Sequence, residues 1–133
     1  MTDDDPGLAV RRAVLGDAYV DRALAGRDEF TAPFQDFITR CAWGEVWARP
    51  GLDRRTRSCI TVALLCALRS PEELAIHIRG ALRNGVTPDE LREVLLHTAV
   101  YAGVPAANRA FAIARDVLAE ARDVAEEERI TRP

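Results

Sequence analysis

Two helix starts written in the same grammar, with a stop between them, constrain this chain most. Ser70-Pro71-Glu72-Glu73 and Thr87-Pro88-Asp89-Glu90 each set a hydroxyl residue before a proline, with a glutamate three residues after the hydroxyl. The hydroxyl can accept from an early helix amide and the glutamate can reach back to the cap amide. Proline loses nothing at the first helical position, where its missing N–H would be unpaired anyway. Asn84-Gly85 supplies the stop. The segment therefore predicts one helix from Ser70 to about Asn84 and a second from Thr87. Leu74, Ile78, Ala81 and Leu82 make the buried stripe of the first; Leu91, Val94, Leu95, Thr98 and Ala99 make that of the second. The seventeen-residue recurrence is shared helix-start chemistry, not a repeat architecture.

The remaining chain also reads as helix packed on helix. Asp5-Pro6 opens a helix carrying Leu8, Val10, Val14 and Leu15 to Gly16, and Asp17 caps a continuation through Leu24 with Val20 inward. Glu29 to Cys41 is the next helix, with Phe30, Phe34, Phe37, Ile38 and Cys41 at helical spacing. Residues 42–51 form a structured loop or short helix around Trp43 and Trp47. Asp53 caps a helix that is apolar on nearly every side after Ser58, which predicts the buried centre of a bundle. Gly103-Val104-Pro105 starts the last helix, from about Ala106 to Glu120, whose small first residues leave its early amides open. The expectation is an all-α, single-domain bundle of six to seven helices over residues 1–133, with 1–5 and 122–133 frayed.

With 48% apolar residues and 133 in total, the chain can bury a core without disulfides or metal. A net charge of −3 argues against nucleic acid, no apolar run reaches spanning length, and the acidic start lacks signal-peptide character. A cytoplasmic protein with neither nucleic-acid nor membrane partners is expected. Cys41, Cys59 and Cys66 form no CxxC and no metal cluster. Seven residues of helical rise hold Cys59 and Cys66 roughly 10 Å apart, so they read as small, buried, reduced residues.

Several residues have both a chemical and a structural reading. His77 sits on the flank of its helix, one turn beyond Glu73; it is either a proton donor steered by that carboxylate or a histidine satisfied at a helix interface. Arg54, Arg55 and Arg57 crowd a helix N-terminus, where the dipole disfavours cations, so they read either as an anion site or as ion pairs to a neighbouring helix or subunit. Glu93, His97 and Tyr101 form a polar ladder at successive turns.

Three blocks carry a resemblance. They are Phe37 to Trp47 with Arg49-Pro50-Gly51-Leu52 and Arg54 to Ser58; His77 to Thr87; and Glu93 to Asn108. In this order they resemble the carboxymuconolactone decarboxylase family, over about Arg11 to Val117. The resemblance implies an alkylhydroperoxidase D-like all-α fold and a homo-oligomer, a trimer or hexamer. The wider family includes alkylhydroperoxidases with Cys-x-x-Cys-x-x-x-His; aligned on His77, the two cysteine places here are Ser70 and Glu73. Thiol peroxide chemistry is thereby set aside.

What the resemblance implies is decarboxylation of a carboxymuconolactone to an enol-lactone, in protocatechuate breakdown by the β-ketoadipate pathway. The electrons left by CO2 spread through the ring C=C onto the lactone carbonyl, so no metal or organic cofactor is expected. The protein must supply cationic anchors, an oxyanion donor and an acid for the α-carbon. Arg49, Arg54, Arg55 and Arg57 are the candidate anchors for this lactone dicarboxylate. His77 is the first candidate acid, with Glu73 holding its ring; His97 with Tyr101 is the second, or the oxyanion donor. Glu45 tunes a histidine, repels the leaving carboxylate, or pairs with an arginine. Trp43 and Trp47 wall the pocket or pack at a subunit contact. The alternative is a non-catalytic or differently specific helical oligomer of the same family.

Overall fold

A computed structural model describes residues 5–133, and all of their regular structure is helical. Asp5 is the N-cap of α1 (Pro6–Leu15) as Asp5-Pro6 predicts, its Oδ1 accepting from the Gly7 amide at 2.7 Å, so the frayed start does not extend to it; residues 1–4 lie outside the description. There follow α2 (Asp17–Ala25), α3 (Ala32–Ile38), a π-helix (Thr39–Trp47), α4 (Arg54–Ala67), α5 (Pro71–Arg83), α6 (Pro88–Ala102) and α7 (Val104–Thr131). No described helix is long and apolar enough to cross a membrane. The chain divides into two compact units, residues 1–57 and 58–133, with α4 running through the division.

In the first unit α1 lies against the π-helix at a glycine–glycine crossing. A Cβ on Gly7 would strike the Thr39 carbonyl and stand 3.1 Å from the Gly44 amide nitrogen, and one on Gly44 would meet the Gly7 Cα at 3.5 Å. Buried Arg11 spans the contact, donating to Gln35 Oε1 at 3.0 Å and Thr39 Oγ1 at 3.3 Å. The single helix expected over 29–41 is therefore shorter and passes directly into π geometry, and of the structured loop or short helix expected at 42–51 the π-helix takes residues 42–47 and a turn the rest. Phe34 and Phe37 keep their spacing on α3 while Phe30 falls in the turn before it, and all three stay exposed. Asp17 is the first residue of α2 rather than its cap, because Gly16 at φ 89° makes the corner.

The second unit is built on α7, which packs against both α5 and α6. Ala106, Ala107, Ala110, Ile113, Ala114 and Val117 of α7 are buried, and Leu74, Ile78, Leu91 and Leu95 meet them in the core, as their spacing predicts. α4 is not the buried centre. Ser58, Val62 and Cys66 face inward along one stripe, while Ile60, Leu64 and Leu68 are 44%, 55% and 70% exposed. α7 takes the central place because its run of alanines lets two helices approach it closely. It also continues well past Glu120 to Thr131, in good helix formers with an Arg129–Glu126 pair at 2.6 Å one turn apart.

The two matched helix starts behave differently. Thr87 and Glu90 form the full reciprocal cap. Ser70 makes no side-chain cap, and its amide is already donated to the Leu65 carbonyl at 3.0 Å. That bond, with Arg69 N–H to Cys66 O at 3.1 Å, closes α4 in a Schellman motif, so Glu73 has no cap amide to reach. Arg69 occupies the left-handed position at φ 57°; Gly85, at φ 91°, holds the equivalent place after α5. A non-glycine residue there costs about 1 kcal/mol or more.

Candidate active site

His77 lies in the middle of α5, half-buried, between core residues Leu74 and Ile78 in sequence. Burial, which penalises the charged ring, lowers its pKa to about 4. The imidazole is therefore neutral in the free protein at pH 7, rather than poised near neutrality. Glu73 is exposed in the first turn of α5.

The shift has a measurable consequence for stability. Between pH 6.5 and about 4 the unfolded chain binds a proton at His77 that the folded chain does not. Stability from this group is thus complete above pH 6.5 and falls as the pH drops, by about 3 kcal/mol in total. His77→Gln should flatten that part of the stability–pH curve in urea titrations. An unchanged slope would show that other groups produce it.

His97 and Tyr101 come together on α6, ring centroids 5.2 Å apart and tilted by 37°. Both are exposed, as is Glu93, so the ladder stands on the surface of the single chain, beside Leu96, Val100 and Val104.

In the first unit the π-helix stacks Trp43 on Trp47, centroids 5.1 Å apart at 29°. Trp43 is buried, Trp47 half-buried and Glu45 exposed. π-helices concentrate at functional sites because the widened turn re-aims side chains. Asp53 is the N-cap expected, its Oδ1 accepting from the Thr56 amide at 2.7 Å; this bond, aided by the Thr56 hydroxyl and Arg55, holds its carboxyl below the usual range. Arg57 Nη2 donates to the Arg49 carbonyl at 3.2 Å and fastens the intervening loop. Arg49, Arg54 and Arg55 present their side chains at the surface. Cys41 and Cys59 are only half-buried; Cys66 is buried, and desolvation raises its thiol pKa.

The second unit also holds a pocket that sequence reasoning missed, between the end of α4 and the starts of α5 and α7. Its volume is about 210 Å³, and Arg69, Ser70 and Arg109 are among its lining residues. The legible signal was an arginine where a helix stop favours glycine. Among the described residues no three His, Cys, Asp or Glu side chains converge as a metal site would require.

A chain whose described residues form only helices, with a half-buried neutral histidine in α5 and an arginine-rich start to α4, defines a class, and comparison with known proteins fixes it. The model of the carboxymuconolactone decarboxylase family matches residues 32–116, drawing on both units. A 4-carboxymuconolactone decarboxylase of Acinetobacter baylyi is 52% identical over 111 residues, 84% of this chain and 83% of that protein. A nitrosuccinic acid decarboxylase of Metarhizium robertsii, npaB, is 45% identical over 125 residues, 94% of this chain and 87% of that one. The chain belongs to the carboxymuconolactone decarboxylase family.

Proposed function

We propose that the protein is a cofactor-free carboxy-lyase that converts 4-carboxymuconolactone to 3-oxoadipate enol-lactone and CO2. The observation that carries the reading is the 52% identity to a 4-carboxymuconolactone decarboxylase across most of both chains. In this reading residues 1–133 work as one family domain, in the cytoplasm, in protocatechuate breakdown by the β-ketoadipate pathway.

The C–CO2 bond breaks and its electron pair forms the new ring double bond. The old double bond's electrons move toward the carbonyl, and a proton adds at the α-carbon. His77 delivers that proton. Neutral in the free protein, it becomes the imidazolium when a dianionic substrate enters its desolvated surroundings, since an opposite charge nearby favours the charged ring. Arg49, Arg54 and Arg55 anchor carboxylates, Arg57 holds their loop in place, and the Trp43–Trp47 stack walls the site. Glu45 repels the carboxylate that leaves. Glu73 orients His77, and His97 with Tyr101 donates to the oxyanion once a second subunit covers α6.

A second reading has its own observation, the 45% identity to a nitrosuccinic acid decarboxylase over nearly the whole chain. Nitrosuccinate, like the lactone, is a small dicarboxylate whose electron-withdrawing group can hold the electrons left by CO2. Comparing kcat/KM on the two compounds separates the readings. The lactone should be preferred by at least about a hundredfold, the ratio that a misplaced polar group costs. A preference for nitrosuccinate would reassign the substrate and keep the chemistry.

The exposed apolar residues Ile60, Leu64 and Leu68 of α4, with Leu96, Val100, Tyr101 and Val104 at α6 and its end, support a closed homo-oligomer, a trimer or hexamer. Light scattering at micromolar concentration should return one of these masses; a monomer would refute the assembly.

A further inference from the structure

The pocket where α4 passes into α5 is not used by the mechanism above. Its floor is apolar, with Cys66, Leu74 and Ile113 buried beneath it, and Arg69, Ser70 and Arg109 are its polar lining. Neither guanidinium makes a hydrogen bond or ion pair with a described residue, and the Ser70 hydroxyl caps no helix. Two cations with no ion-pair partner among the described residues, beside a hydroxyl over an apolar floor, favour a ligand with an anionic end and a carbon body. Arg109 rises from α7, whose first turn holds no acidic residue to offset its dipole. The backbone points the same way. At φ 57° Arg69 is the wrong residue for its conformation, where Gly85 is the right one after α5, yet its side chain is suited to the pocket.

We propose that this pocket binds a small organic carboxylate, its charged end between Arg69 and Arg109 and its carbons on the Cys66–Leu74–Ile113 floor. Two sources share this chemistry. One is the second carboxylate arm of the decarboxylated substrate, in which case the inference rests on the proposed function; the other is a separate carboxylate metabolite.

The test is calorimetric binding of glutarate, which cannot decarboxylate by this route, to the wild type, Arg109→Gln, Arg69→Gly and the double variant. Arg69→Gly relaxes the left-handed residue, so it should raise the Tm by about 3 °C while weakening glutarate about tenfold. A purely structural arginine would give the first effect without the second. Arg109→Gln should weaken glutarate by a similar factor. If the ligand is the substrate arm, Arg109→Gln also raises the lactone KM about tenfold with kcat little changed. If it is a separate metabolite, glutarate weakens and the lactone KM does not move. Glutarate weakening in variants of a protein that decarboxylates nothing would uphold the pocket and defeat the proposed function. Glutarate binding the double variant as tightly as the wild type, or failing to bind the wild type at about 10 mM, overturns the inference.

Discussion

Replacing His77 with alanine is expected to lower turnover by about two to four orders of magnitude while the protein stays folded. The argument joins position to charge. His77 lies mid-helix and half-buried, so its environment fixes the ring and removes water, and the desolvation that holds it neutral in the free protein also strengthens its response to a bound dianion. Alanine is the best helix former, so α5 has no local reason to unravel. Turnover and circular dichroism measured together settle the matter. A folded variant with near-normal turnover would move the proton to His97 or to a water.

The largest expected effect on stability comes from a residue with no chemistry. Gly7→Ala should destabilise the protein by about 3 kcal/mol in urea unfolding. The added Cβ would meet the Thr39 carbonyl, and the neighbouring atoms are the Gly44 amide nitrogen and Asp5 Oδ1, each at 3.1 Å. Two of the three are backbone and cannot rotate away. Moving α1 outward instead would break the bonds from Arg11 to Gln35 and Thr39. Gly51→Ala is the control, since nothing lies within 4 Å of its Cβ position and it should change stability little. A loss below about 1 kcal/mol for Gly7→Ala would mean that α1 and the π-helix do not approach this closely.

The helices were legible where local chemistry alone decides them. Asp5-Pro6, Thr87-Pro88 and the Asn84-Gly85 stop carry their instructions within a few residues, and α1, α6 and the end of α5 fall where those residues place them. Reading failed where one group had two uses. Ser70 starts α5 by its spacing, but its amide is consumed in ending α4, a competition invisible in either helix alone. The π-helix was hidden because its apolar spacing mimics an α-helix until Gly7 and Gly44 are seen to meet. Apolar residues all round α4 signalled burial, yet one chain covers only the Ser58–Val62–Cys66 stripe. Among site residues, His77 stood out by its place on a helix flank. Arg69 at a helix stop was the one local sign of the pocket it lines with Ser70 and Arg109, and the pocket itself was hidden because Arg109 joins the lining only when α7 packs back over a separation of about forty residues.

The most direct test of the central claim is the ratio of CO2 released to 4-carboxymuconolactone consumed by purified protein dialysed exhaustively against a chelator. One CO2 per lactone, with the enol-lactone as product and a rate unaffected by the dialysis, is the predicted result. Lactone consumed without CO2, no consumption at all, or activity restored only by added metal would contradict it.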